Sequence, residues 1–282
     1  MSVGIHETEA RSILSTTTGF IAEAGFTHSL TPARNCTFGC TYCYVPTMGI
    51  YGGLKPDDWK HWGQFTTFKS NAPELLRKSL RPNQAIYCSP LVDPYQPAEA
   101  ARQLMPAILD AVIEQPPRVF TIQTRGPLIV RDIDRLLALS RRTRLRVSFS
   151  LTTNREEVRK IYEPHCATLP ERLSAIQQLR AAGIVTFATL APLLPCDPEE
   201  FAEIALAASA EDIIVDPLHV RAVKKRGATT RQAALDISAR REFSAWLDPE
   251  FQAGILARIQ AVVTKAGRRC AAGTEAFGWL SK

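Results

Sequence analysis

The stretch Asn35-Cys36-Thr37-Phe38-Gly39-Cys40-Thr41-Tyr42-Cys43-Tyr44 places three thiols within eight residues, in a C-x3-C-x2-C spacing that follows a short β-rich run at 26–30. Thiolates so spaced suit an iron-sulfur cluster wrapped by one tight loop, with Gly39 freeing the backbone where it must bend. A 4Fe-4S cubane bound by Cys36, Cys40 and Cys43 keeps one iron without a protein ligand. S-adenosylmethionine (SAM) can chelate that iron through its amino and carboxylate groups, so that one electron cleaves a carbon-sulfur bond and releases a 5′-deoxyadenosyl radical. A structural zinc site is the competing reading, but zinc takes four ligands in paired spacing. The remaining cysteines, Cys88, Cys166, Cys196 and Cys270, supply no second pair, and the last three read as inert.

Downstream of the loop, β-rich runs alternate with amphipathic ones, the pattern of a parallel sheet wrapped by helices. Strands are expected at 85–88 (AIYC), 118–123 (RVFTIQ), 146–151 (RVSFSL), 184–190 (IVTFATL) and 212–215 (DIIV), in addition to 26–30. Helices are expected at 99–114, 131–139 and 170–182, the last stopping at Gly183. Six strands are fewer than the eight of a closed barrel. The expected fold is therefore α/β, a partial (β/α)6 TIM-like barrel, with chemistry at the C-terminal ends of its strands. Two tail helices, near 230–246 and 249–266, would lie against the open flank. The whole reads as one domain over 1–282, with a core at about 26–220 and a helical extension at about 221–282.

The 282 residues are 45% hydrophobic and interrupted by no linker or low-complexity run. A basic start followed by an apolar stretch is missing, as is any run long enough to span a bilayer, so a cytoplasmic protein without membrane contact is expected. Seven cysteines fit a reducing compartment and ligand chemistry better than a disulfide framework. The net charge of +6 is concentrated in Arg141, Arg142, Arg144 and Arg146, in Lys224, Lys225 and Arg226, and in Arg268 and Arg269. Such clusters can meet a phosphate backbone, or simply be solvated surface.

The cysteine loop resembles that of the radical SAM superfamily, whose signature is C-x3-C-x-aromatic-C, with Tyr42 here as the aromatic residue. More narrowly, the chain is similar to the spore photoproduct lyase family and its relatives of unassigned substrate. The shared stretches are Val92-Asp93-Pro94-Tyr95-Gln96-Pro97, Thr124-Arg125, Phe149-Ser150-Leu151-Thr152-Thr153, Glu163-Pro164, Pro170-Glu171-Arg172-Leu173 and Leu190-Ala191-Pro192. The resemblance implies a radical SAM barrel with a 4Fe-4S cluster and SAM as cofactors. It implies that Tyr42 lies near the adenine, that Ser89, Asp93, Arg125, Ser150 and Thr152 hold the methionine and ribose, and that Ala191 lies against the adenine. It further implies Cys88 as a hydrogen-atom donor and Tyr44, with Tyr42, as its relay. Read without the resemblance, Cys88 is a buried core thiol, Ser150 and Thr152 are strand residues, and the Asp93 to Pro97 stretch is a rigid turn.

The function expected is hydrogen abstraction from a substrate, with a nucleic-acid base as candidate and a reducing partner such as flavodoxin or ferredoxin supplying the electron. A radical SAM modifier of RNA, peptide or a small molecule is the alternative enzyme. A non-catalytic iron-sulfur or zinc protein that binds nucleic acid is the alternative outside catalysis.

Overall fold

The computed structural model describes residues 3–52, 58–224 and 228–282. Its strands, in chain order, are β1 (Gly4–Thr8), β2 (Leu14–Thr16), β3 (His28–Leu30), β4 (Ala33–Arg34), β5 (Phe65–Lys69), β6 (Ala85–Cys88), β7 (Val119–Thr124), β8 (Arg144–Ser150), β9 (Thr186–Leu190), β10 (Ile213–Val215) and β11 (Cys270–Ala271). The main sheet runs β11-β10-β9-β8-β7-β6-β3-β2. Its six central strands, β3 and β6 to β10, are all parallel and fall where the sequence places them. Two short additions were not anticipated: β2, antiparallel on β3, and β11, parallel on β10. Both are too short to carry a periodic signal. The central strands β6 and β9 are buried along their whole length, as expected for parallel strands covered on both faces.

Helices cover one face of this sheet. Leu104–Glu114 buries Leu104, Met105, Ile108, Leu109 and Val112, while Leu169–Ala181 buries Ile176 and Leu179. The second helix is delimited at both ends by its own sequence. Thr168 and Glu171 form a reciprocal capping box at its start. Beyond its end, Gly183 adopts φ +80° while its N–H and that of Ile184 reach back to the Arg180 and Leu179 carbonyls.

The single helix expected at 99–114 is instead two, Glu99–Arg102 and Leu104–Glu114, broken at Gln103 with φ 51°. Pro106 explains the break: in a continuous helix its ring would meet the Arg102 carbonyl, whereas in the first turn of a new helix its missing N–H costs nothing. The buried Glu99 carboxylate then caps the new helix, accepting from Leu104 N at 3.1 Å and Met105 N at 2.8 Å. The tail also departs from expectation, because 230–246 divides into the helix Gln232–Arg240 and the short turn Ser244–Leu247. That turn buries Phe243 beside Tyr162 and Trp246 beside Phe251. The helix Pro249–Lys265 packs along Pro198–Ala208 at the β10 edge, with Arg258 bridging to Glu199 at 2.6 Å.

The other face of the sheet is lined by Phe26, Tyr87, Phe187 and Ile214, and both end regions of the chain fill it. Phe277 and Leu280 come from the last turns, and Phe20 packs edge-on against Phe277. A separate three-stranded sheet, β1-β5-β4, stands beside the cysteine loop and fixes its entry, since Thr66 of β5 donates to the Arg34 and Asn35 carbonyls.

Replacing Glu99 by Ala leaves two helix N–H groups without their acceptor and Arg131 with Asp132 as its remaining carboxylate partner. A loss of about 2–4 kcal/mol of unfolding free energy is expected in urea titration. A loss below about 0.5 kcal/mol would reject the capping role.

Candidate active site

The cysteine loop is held from three directions. Asn35, at φ 63°, caps the Cys36 N–H with its own side chain at 2.8 Å. Gln96 accepts from Thr37 N and Oγ1 at 2.8 and 3.1 Å, and Thr37 Oγ1 accepts from Ala98 N. Thr41 donates through both its N–H and its hydroxyl to the Tyr162 carbonyl. Gly39, at φ +59°, also lies so near Gly63 that a Cβ on Gly63 would stand 2.7 Å from the Gly39 Cα. Cys36 and Cys40 are buried and Cys43 is half-buried. Burial pushes the Cys36 thiol well up and the Cys43 thiol to about 12. Cys40 is drawn down by a hydrogen bond with Cys166, aided by the nearby Arg125 charge.

Beside the loop lies a buried ionic network centred on Glu163, which follows the helix Glu156–Tyr162. Its carboxylate receives Arg125 at 2.5 Å, the Arg172 guanidinium and the Tyr42 hydroxyl. Arg125 also contacts the Tyr42 hydroxyl and lies 3.8 Å from Cys40 Sγ. Burial would raise the Glu163 carboxyl, but Arg172 and Arg125 outweigh it and hold the group at about 2. Arg159 secures the turn that carries Glu163, donating to the Glu163 and Cys166 carbonyls.

The inner face of the barrel supplies a second set of groups at the strand ends. Alternation along β8 turns Phe149 toward the helices and Ser148 inward, where it bonds Thr189 at 2.7 Å. Ser150 shares that inner face. The hydroxyls of Ser150 and Thr152 are both buried without a hydrogen-bond partner among the described residues. Buried hydroxyls are rarely left so, and two at one strand end fit a polar ligand such as SAM. Ala191 joins the apolar inner cluster beside Tyr87 and Phe187, a surface that fits the face of a purine. Ser89 is buried with its hydroxyl 3.5 Å from Thr31 Oγ1.

Other expected site residues are tied into the surrounding fold. The Asp93 carboxylate is fully engaged by Thr124 Oγ1, Tyr95 N and Arg125 N, which makes it a brace for the Arg125 loop. Cys88 belongs with Ile86 to the helix-side cluster, while its neighbour Tyr87 faces inward. The Tyr44 hydroxyl donates to the Pro90 carbonyl at 2.6 Å, whereas that of Tyr42 is committed to Glu163. Cys166, read as inert, instead sits 3.7 Å from Cys40 Sγ. At the mouth, His219 Nε2 bonds Asp216 Oδ2 at 2.6 Å, and its Nδ1 is buried without a partner among the described residues.

Two tests follow from Glu163. Glu163→Gln strands two guanidiniums in the interior, and a loss of about 3–5 kcal/mol is expected in urea titration. Because the folded-state value of about 2 lies below the ordinary 4.5, this stabilisation is complete above pH 4.5 and drains as pH falls toward 2. Its size is about 3 kcal/mol. An acid limb of equal steepness in wild type and variant would contradict this assignment.

The sequence matches the radical SAM superfamily over residues 30–208. An uncharacterized protein of Mycobacterium tuberculosis is 28% identical over 229 residues, covering 78% of this chain and 66% of its own. An uncharacterized protein of Methanocaldococcus jannaschii is 28% identical over 162 residues, covering 57% and 58%. The chain thus spans about two thirds of the length of the mycobacterial relative. Among solved structures, a spore photoproduct lyase mutant superposes with a TM-score of 0.58 at 15% identity, over 84% of this chain and 66% of that one. A radical SAM methyltransferase from Kitasatospora setae gives 0.54 at 13% identity, over 94% and 58%. These likenesses carry the fold, a radical SAM α/β barrel. The family match, covering the cysteine loop and the strand ends built around it, makes this chain a member of the radical SAM superfamily, whose cofactors are a 4Fe-4S cluster and SAM.

Proposed function

We propose that this chain cleaves SAM reductively and uses the resulting 5′-deoxyadenosyl radical to abstract a hydrogen atom from a nucleic-acid base. The observation that carries the SAM part is the pair of unpartnered buried hydroxyls, Ser150 and Thr152, on the inner face of a barrel whose loop presents three thiols. Cys36, Cys40 and Cys43 would hold the cluster. When bound, cluster and SAM together supply the electron acceptor and the radical precursor.

The chain's own residues supply order. Gln96 and Thr41 fix the loop, Ser150 and Thr152 offer hydroxyls to the methionine or ribose, and Ala191 offers an apolar shelf to the adenine. Arg125 stands between Glu163 and Cys40, where its charge offsets the negative charge of a thiolate-bound cluster. The nucleic-acid reading is supported by the +6 charge and by a solved spore photoproduct lyase of similar fold that holds a dinucleoside photoproduct. A flavodoxin- or ferredoxin-like protein would deliver the electron. Cys88, on the helix side of β6, is not given the hydrogen-donor role.

Anaerobic reconstitution followed by reduction with dithionite tests the reading. Wild type and Cys166→Ser are expected to bind about four irons per chain and release 5′-deoxyadenosine from SAM, and Cys40→Ala to do neither. Ser150→Ala is expected to weaken SAM binding about tenfold with iron content unchanged. Cys88→Ala is expected to leave the product distribution as in wild type. Loss of iron in Cys166→Ser would mean that a fourth thiol closes the open corner, and the SAM chemistry would fall with it.

A further inference from the structure

At the opposite end of the barrel, a concavity of about 1010 Å³ opens beneath the starts of β7, β8 and β9. Six arginines line it: Arg81, Arg118, Arg141, Arg142, Arg144 and Arg146. Arginines elsewhere in the molecule are mostly committed to carboxylates, as in Arg77 with Glu114, Arg135 with Asp110, Arg258 with Glu199 and Arg269 with Asp212. Among the described residues, none of the six forms a salt bridge with an Asp or Glu side chain. Glu211 is near enough to act on Arg146, but burial and the like charge of Arg144 outweigh it and lower that guanidinium's affinity for its proton. The positive field of this floor is therefore largely uncompensated.

Four of these side chains are also aimed by backbone carbonyls. Arg81 donates to the Lys78 and Leu80 carbonyls, Arg142 to that of Ile113 and Arg146 to that of Leu145, while Arg144 reaches the main-chain oxygen of Lys282, the last residue of the sequence. A guanidinium has five donors, so one or two bonds to a carbonyl orient the fork and leave the rest for a ligand. Arg144 opens β8, Arg118 immediately precedes the adjacent parallel strand β7, and Arg81 lies in the segment that leads to β6. The result is a floor of cations drawn from neighbouring strand entries, more positive charge than a single phosphate would neutralise.

We propose that this arginine floor is a second nucleic-acid site, gripping two or three consecutive phosphates of a strand by its backbone alone. β8 runs from Arg144 to Ser150, so about 20 Å separates the floor from the strand ends where the thiols lie. The floor cannot present a base to the chemistry. It acts as a distant anchor that reads phosphate without sequence. The other basic clusters do not compete for this role: Arg269 is paired with Asp212, Arg268 is tied to the Leu206 and Ser209 carbonyls, and Lys225 and Arg226 lie outside the described residues. The proposal shares with the preceding reading only the class of partner. Binding is measured without turnover, so either can fail alone.

The test is fluorescence anisotropy of a labelled single strand of about 20 nucleotides, titrated with the cluster-loaded chain between about 50 and 200 mM salt. R144Q/R146Q is expected to weaken binding about tenfold at the lowest salt and to reduce the slope of log affinity against log salt by about 1–2. The same variant should release 5′-deoxyadenosine from SAM at the wild-type rate. R81Q/R118Q, which alters residues outside the strands, should act in the same direction, and it decides the matter if the first pair lowers the melting temperature. Wild-type affinity and slope in a folded variant would overturn the proposal. So would tighter binding of free tripolyphosphate than of the oligonucleotide, which would make the floor a pocket for a small anion.

Discussion

The negative charge on Glu163, buried without exposure to water, is the constraint around which the upper end of the barrel is organised. An ionised carboxylate in the interior survives only when its oxygens are saturated by donors, and here the donors arrive from three separate segments. Tyr42 belongs to the cysteine loop, Arg125 follows β7, and Arg172 rides on the helix Leu169–Ala181. Displacing any one segment exposes an uncompensated charge in the others. Arg172 also reaches toward the Ser150 carbonyl, so the network extends to the strand end that carries the ligand-ready hydroxyls.

The polar groups of the site divide into those with partners in the chain and those without. Asp93 spends its carboxylate on Thr124, Tyr95 and Arg125, and Gln96 spends its amide on Thr37 and Asn35. These two neighbours are struts that tie the β6 loop to the cysteine loop on one side and to the Arg125 loop on the other. The hydroxyls of Ser150 and Thr152, by contrast, have no hydrogen-bond partner among the described residues. Polar side chains of similar character thus do opposite jobs, and partner counting separates them where residue type does not.

The six parallel strands were legible in the sequence because short β-rich runs alternate with longer amphipathic ones, and the cysteine loop because three thiols so close together have few other uses. What escaped depends on contacts across long stretches of chain. Glu163 and Arg172 were visible only as part of a family pattern, since nothing local says that they meet each other, Arg125 and Tyr42. Cys166 approaches Cys40 across 126 positions of sequence. β4 and β11 have two residues each, too few for any period. The break at Gln103 was legible and overlooked: Pro106 forbids a continuous helix, and Glu99 stands where it can cap a new one. Asp93 stands at a strand end where the sequence suggests a ligand contact, and what the sequence did not show is that Tyr95, Thr124 and Arg125 all donate to its carboxylate.

The inner lining of the barrel comes partly from Phe277 and Leu280, far in sequence from most of the strands they cover. Leu280 fills the interior and its carbonyl accepts from Thr121, while the Ser281 hydroxyl closes on the Ala24 carbonyl across 257 positions. The six strands alone therefore lack part of their inner layer, and the sheet reaches its final packing only when residues 277–281 dock against it. Closure by such distant contacts is slow, so the unfinished barrel must be kept from sticking to its neighbours in the meantime.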